Sequence, residues 1–402
     1  MTLTGQPAAA RAAAVVHPRA AGGDPGAADR GRAGSGPDAG RYRGGPAAGR
    51  ARPSWLLPAT VAGLLAALVL SVVLAVALGP VTIGFARVWG IIGHAVAPAL
   101  VGPHGVDAEP VIALELRAPR VLLGAVVGAG LGVAGGVLQA VLRNPLADPY
   151  VVGLSSGAAL GAVLVLLAGA FGVGAVGLGL AAQLGTAGGA FAGALLAFAL
   201  VYAFGRRRGE VSPLRMLLGG VAVAALLSAA TNWVVLTADS QEVRSALYWT
   251  LGSLTGSAWR DLTLPALAVV VLTAWFTLQG RTLNALSLGD EHAATLGIAV
   301  HRARTVLTVV AALLVAVTVA VAGSILFFSL VVPHLVRLVL GADYRVLLPV
   351  SALLGAVLLV WFDVAARLLI APAELPIGVV TSLLGAPAFL LLMLRQANRS
   401  AG

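Results

Sequence analysis

From residue 58 to residue 394 the chain is a succession of ten apolar segments. They lie near 58–78, 120–142, 150–170, 176–204, 213–236, 263–279, 305–323, 326–340, 347–370 and 376–394. Most reach the roughly 20 residues that an α-helix needs to cross a bilayer core of about 30 Å. Lipid offers no hydrogen bond to a backbone amide, and a helix satisfies its own. Composition agrees with that reading. Charged residues make up 10% of the 402 residues and hydrophobic ones 59%, whereas a soluble domain carries about 25% charged residues. The 51 glycines fall largely inside apolar runs, where soluble helices avoid them. The expected fold is all-α, a polytopic membrane protein with about ten transmembrane helices.

Two segments need separate treatment. The 326–340 run is short and is interrupted by Pro333, His334 and Arg337. It is expected to be a broken or partly buried span, tolerated where protein or water satisfies its backbone. An eleventh candidate, Val88 to Gly102, contains His94 and Pro98. With ten spans and the N-terminus inside, 20 arginines face the cytoplasm and 6 lie on the outer side. An eleventh span would move Arg206, Arg207 and Arg208 outside, against the positive-inside rule. Val88–Gly102 is therefore expected to form an extracytoplasmic helix at the membrane surface, and both termini are expected in the cytoplasm.

Absences narrow the chemistry. There is no cysteine, hence no disulfide, thiolate metal site or cysteine nucleophile. All 26 basic residues are arginine. A P-loop needs its lysine to hold phosphates, so any energy from ATP has to come through a partner. Residues 1–57 hold eight arginines and three aspartates among Ala, Gly and Pro, without apolar periodicity. They read as a disordered, solvated cytoplasmic tail.

Small residues mark helix contacts. Gly124, Gly128, Gly132 and Gly136 repeat every four residues, as do Gly153, Gly157 and Gly161, and Gly185, Gly189 and Gly193. Each stripe lets another helix approach closely.

Few polar residues remain to carry function. RNPLADPY, Arg143 to Tyr150, reads as a tight turn, in which Asp148 can cap the next helix. Ser155, Ser156 and Gly157 then place small polar groups on a buried helix. They either bond a neighbouring helix or line a pathway, and spacing does not separate the two. Leu286 to Arg304 is the longest polar stretch between spans. Leu288, Ala293, Leu296 and Val300 recur at helical steps, which predicts short amphipathic helices broken near Gly297. Docking into a partner's groove suits its mixed charge better than resting on lipid. Arg117, Arg120 and Arg367 sit at outer span ends, either snorkelling to headgroups or forming a basic patch for a docked protein. Asp363 is the one acid well inside a span. A proton relay is one reading, and a pair with Arg367 four residues on is the cheaper one. His334 has no second ligand at metal spacing, and a structural hydrogen bond is expected there.

Taken in order, RAPR, RNPLADP, VGLSSGAALGA, LYWTLGSLTGSAW, LGDEHAATLGI, VVPHLVRLVLGADYRVLLP and ELPIGVVTSLLGAPAFLLLMLR resemble the FecCD-type permeases. These are membrane subunits of binding-protein-dependent ABC importers for iron–siderophores, haem and cobalamin. The likeness covers nearly all of 58–395, and Leu326 and Ser329 depart from it where glycines are usual. The resemblance implies a type II importer permease of ten helices in the inner cell membrane, in contact with membrane lipid. It implies a second permease, in a homodimer or in a heterodimer with a similar permease, two cytoplasmic ATPase subunits and an extracytoplasmic substrate-binding protein or lipoprotein. ATP and Mg would be bound by the ATPase partner, with no cofactor or metal on this chain, no enzymatic activity of its own and no nucleic acid.

The same likeness assigns residues. Asn144, Leu146, Ser212 and Pro213 would form the cytoplasmic gate. Leu288, Gly289, Asp290, Glu291, His292, Ala293, Leu296 and Gly297, within 286–304, would couple to the ATPase. Arg117, Arg120 and Arg367 would dock the binding protein. A ferric siderophore is the expected cargo, with haem or cobalamin as the alternative. An ion-coupled secondary transporter rests on Asp363 alone, and a membrane-embedded enzyme has no nucleophile or metal cluster to work with.

Overall fold

The computed structural model describes residues 55–102, 108–167, 185–207, 210–238 and 240–400. All of them belong to one compact unit, Pro53–Gly402. The tail expected over 1–57 lies outside the described residues up to position 54.

The helices in chain order are α1 (Leu56–Ala77), α2 (Phe85–Val96), α3 (Glu109–Val141), α4 (Leu154–Leu167) and α5 (Gly185–Gly205). Next come α6 (Pro213–Leu236), α7 (Ser240–Thr250), α8 (Trp259–Leu278), α9 (Gly280–Leu288) and α10 (Asp290–Thr295). The chain ends with α11 (Val300–Ala322), α12 (Phe328–Leu340), α13 (Tyr344–Leu368) and α14 (Ile377–Ser400). Each of the ten expected spans is a helix. Seven of them, α1, α3, α5, α6, α8, α11 and α13, are long and apolar enough to cross a membrane, while α4, α12 and the apolar part of α14 are shorter. The eleventh candidate is the short helix α2. A two-residue antiparallel ribbon, Arg206–Arg207 against Glu210–Val211, joins α5 to α6 and was not legible in the sequence.

The core is organised around α3. It packs against α13, α11, α12 and α8, and α4 packs against α5 and α6. The glycine stripes explain how. A Cβ on Gly128 would overlap the Gly355 carbonyl of α13, and one on Gly157 or Gly161 would overlap the Gly193 or Gly189 carbonyl of α5. Helix backbones are in direct contact at these points. Gly153 and Gly185, counted in the same stripes, serve otherwise: both have positive φ, 81° and 70°, at helix starts.

The departures from the family pattern in the 323–327 link and the first turn of α12 are also explained. Ser329 is fully buried, and the space for its backbone and Cβ comes from Gly135 on α3. Leu326 is 40% exposed and so meets no packing limit there. The segment expected to be broken or partly buried is one short, partly buried helix that continues through Pro333, and Arg337 within it is held by the Gln139 side-chain oxygen and by Tyr344 Oη at 3.3 Å.

This packing predicts a sharp contrast. Gly157→Val forces α4 away from α5 and is expected to destabilise the fold by about 1–3 kcal/mol or more. Gly63→Val, on α1 with open space around it, is expected to be neutral. Thermal unfolding of the two variants in detergent checks this, and equal midpoints would refute the helix contact.

Candidate functional site

The charged side chains gather at two opposite ends of the bundle. At one end Arg117, Arg120 and Arg367 converge, as the sequence leads one to expect, but their guanidinium groups turn inward. They are only 7%, 9% and 3% exposed. Arg117 donates to the carbonyls of Val76 (2.8 Å), Ala77 (3.2 Å) and Val81. Arg367 donates to Leu78 (2.9 Å) and Ala75 (3.0 Å). The last carbonyls of α1 have no partner within the helix, and two cations satisfy them where the helix dipole is negative.

Asp363, 1% exposed, lies between two of these cations. Arg120 Nε donates to Asp363 Oδ1 at 2.9 Å, and Arg367 Nε lies 3.0 Å from Oδ2. The second contact is off the donor direction, so it is an ion contact without a hydrogen bond. The acid–arginine pair at i, i+4 is thus present. Sequence reasoning missed Glu374, which accepts from Arg120 Nη1 at 2.9 Å and from Thr255 Oγ1 at 3.0 Å. The signal available was a single acid in the link after α13.

The opposite end carries the expected gate and coupling residues. Asn144 Oδ1 accepts from the Leu146 amide at 2.9 Å, closing the turn after α3, and Leu146 is 38% exposed. Ser212 precedes α6, whose first residue is Pro213, and its amide closes the ribbon on Gly205 O at 3.2 Å. Tyr202 Oη donates to Thr305 at 3.1 Å, which places this ribbon at the same end as the start of α11. No hydrogen bond among the described residues joins the Asn144 turn to Ser212.

The stretch expected to couple to an ATPase is two short helices with glycine corners. Gly289 (φ 121°) separates α9 from α10, and Gly297 (φ 79°) ends the second turn. The Gly297 break was expected; the Gly289 break was not. Leu288 and Leu296 are 69% and 68% exposed. Glu291 and His292 are exposed as well, while Ala293 is fully buried as the anchor. Asp290 fixes the corner. It receives Arg304 Nη2 at 2.7 Å and Arg143 Nη2 at 3.1 Å. Beside it, Asn284 donates to Asp343 at 2.8 Å and accepts from the Tyr344 amide at 2.9 Å, tying α9 to α13. Among the described residues no group of three His, Cys, Asp or Glu side chains is placed to hold a metal ion.

The model of the FecCD transport family matches residues 67–395. The chain belongs to the FecCD transport family. Over 287 residues, 71% of this chain and 74% of the relative, it is 45% identical to the cobalamin import system permease protein of Halobacterium salinarum. Over 296 residues, 74% of this chain and 87% of the relative, it is 40% identical to the hemin transport system permease protein of Yersinia pestis. Among solved structures it is similar to an inward-facing metal-chelate type ABC transporter. The TM-score is 0.71 at 29% identity, with 84% of this chain and 99% of that one covered. The fold is therefore that of the type II ABC importer permeases.

In this FecCD member the arginine–carboxylate cluster generates a stability prediction. Arg367→Ala removes one cation from Asp363 and two donors from the end of α1, and it is expected to destabilise the protein by about 3 kcal/mol or more. A lowered thermal midpoint in detergent is the readout, with Arg244→Ala, an exposed position, as the reference. An unchanged midpoint would show that the contacts contribute nothing net.

Proposed function

We propose that the chain is the membrane permease of a binding-protein-dependent ABC importer and that its cargo is a corrinoid. The 45% identity to a cobalamin permease over most of both chains carries this reading. Haem is the second reading, supported by the relative from Yersinia pestis. The ferric siderophore first expected from the sequence is not the cargo named for either relative.

The arginine count orients the molecule, with the Asp290 end in the cytoplasm. There α9 and α10 present Leu288, Glu291, His292 and Leu296 to one of two ATPase subunits, and buried Ala293 seats them. Asp290 passes the movement on. It grips Arg143, the residue immediately before the Asn144–Leu146 gate turn, and Arg304 at the start of α11. A push on α10 thus reaches the gate through one carboxylate. Leu146, with Ser212 and Pro213, would close the pathway against a second permease copy. At the other end a substrate-binding protein or lipoprotein would approach Arg117, Arg120 and Arg367. The permease itself performs no covalent step. Each partner shifts the open side by its differential affinity for the two states. Asp363, enclosed by two arginines, supports the structural pair over a proton relay.

Reconstituted with its ATPase and binding protein, the permease is expected to concentrate cyanocobalamin only when ATP is present. Uptake without the ATPase, or uptake of haemin in place of cyanocobalamin, would overturn the respective part of the reading.

Gly297 tests the coupling route. A β-branched residue resists φ of 79°, so Gly297→Val is expected to leave insertion and binding-protein affinity intact. The stimulation of ATP hydrolysis by binding protein should fall at least tenfold. Full stimulation in this variant would place the coupling elsewhere.

A further inference from the structure

At the Asp290 end of the bundle there is a recess lined by none of the residues assigned to the gate or to coupling. It has a volume of about 340 Å³ and lies between the end of α8, the start of α9, the link before α11 and the first turns of α11. Trp275, Ile298 and Val306 give it apolar walls, while Gln279, Thr282 and Arg302 give it polar groups. Thr282 Oγ1 donates to Gln279 Oε1 at 3.2 Å, which leaves the Gln279 amide nitrogen free to donate. Arg302 is the only charged side chain among the lining residues. It makes no hydrogen bond or ion pair among the described residues, unlike Arg304 two positions on, which Asp290 holds at 2.7 Å. No carboxylate lines the recess, so no group there answers the Arg302 charge.

Two features set this recess in the membrane interface. Trp275 lies within one turn of the end of α8 at Leu278, and Arg302 within one turn of the start of α11 at Val300. In the orientation proposed above, both ends stand at the cytoplasmic boundary, the level at which tryptophan and arginine gather. The second feature is the surface that runs from the recess towards the bilayer centre. Arg302, Val306 and Val309 follow one face of α11 at four- and three-residue steps, and all three are exposed. On α8, exposed Val271 lies one turn before Trp275. Along both helices the order is polar at the end and apolar inward, which matches a headgroup followed by an acyl chain.

We infer that this recess is a binding site for an anionic phospholipid of the cytoplasmic leaflet. Its phosphodiester would sit on Arg302 and the Trp275 and Gln279 donors, and a chain would run along Val306, Val309 and Val271. The inference uses the orientation above and does not depend on the cargo. A guanidinium presents a planar fork of N–H donors that suits phosphate oxygens. The Trp275 indole N–H, without a hydrogen-bond partner among the described residues, adds another donor. The first turn of α11 turns the positive end of its dipole to the same side. A zwitterionic lipid also brings a phosphate, but its ammonium finds no carboxylate lining the recess. An anionic headgroup supplies the counterion that Arg302 lacks and leaves no cation unmatched. An acidic segment of the ATPase is the competing occupant. It fits less well, because the exposed surface beside Arg302 is formed by Leu278, Val306 and Val309, as lipid requires.

The test uses the complete transporter, with ATPase and binding protein, in phosphatidylcholine nanodiscs. They contain a small fraction of phosphatidylglycerol whose acyl chain carries a diazirine near the headgroup. After illumination, the cross-linked peptides are expected to fall within 271–282 and 298–309. Unlabelled phosphatidylglycerol is expected to compete about fivefold better than phosphatidylcholine, the gain that one arginine gives at a membrane surface. Equal competition by the two lipids would overturn the inference. So would inorganic phosphate displacing the cross-link as well as phosphatidylglycerol does, since the site would then serve a free anion.

Variants assign the effect to one side chain. Arg302→Gln is expected to lower the phosphatidylglycerol cross-link about fivefold and to leave cross-linking by a phosphatidylcholine diazirine unchanged. Arg302→Lys is expected to restore part of the difference. Arg281→Gln, at an exposed arginine outside the recess, is expected to change nothing. An unchanged phosphatidylglycerol cross-link in Arg302→Gln would refute the site. If Arg302→Gln instead releases the ATPase from the complex in either lipid, Arg302 serves the ATPase and the lipid site falls. The wild-type competition needs no variant, so it decides the matter even if Arg302→Gln fails to fold.

Discussion

A bilayer gives no hydrogen bond to the open end of a helix, and this chain meets that constraint with arginine. The first span stops at Ala77, and the carbonyls of Ala75, Val76, Ala77 and Leu78 are taken up by Arg117 and Arg367 from two other helices. Those cations have to be neutralised in turn. Asp363 does so for Arg367 from inside the ninth span, and it also holds Arg120 from the second. One requirement, the closing of a helix end, thus fixes where α1, α3 and α13 meet.

The interior between the two ends is built on the opposite principle. Gly128 against Gly355, and Gly157 and Gly161 against Gly193 and Gly189, bring backbones together without polar groups. Such contacts fix distance but carry no charge. Polar chemistry is thereby left to the ends and to a few hydroxyls beside α6, such as Ser156 and Ser228.

Local pattern decided how much was legible in advance. The ten spans follow from apolar length. The Asp363–Arg367 pair follows from i, i+4 spacing, and the Gly297 corner from a glycine ending an amphipathic turn. The destinations of the arginines did not follow. Arg117 reaches back 41 residues to Val76, and Arg120 reaches forward 243 to Asp363. Nothing in the local sequence distinguishes an arginine that snorkels from one that caps a distant helix. Glu374 and Asn284 were missed for the same reason, since each acts only on residues far along the chain. Ser155 and Ser156 were legible as polar groups at depth. Of their alternatives, a helix bond or a pathway, the first is met at Ser156, which lies 3.4 Å from Ser228 Oγ on a neighbouring helix.

The inward turn of Arg117, Arg120 and Arg367 changes the thermodynamics of any protein that binds at that end. A partner's carboxylate reaching Arg120 meets a guanidinium already held by Asp363 and Glu374. Binding is then an exchange of one ion pair for another, so the net gain is small and little counterion is released. Displacing Glu374 would also free Thr255, which precedes α8. The energy of recognition would in this way be converted into mobility of the 251–258 link between α7 and α8.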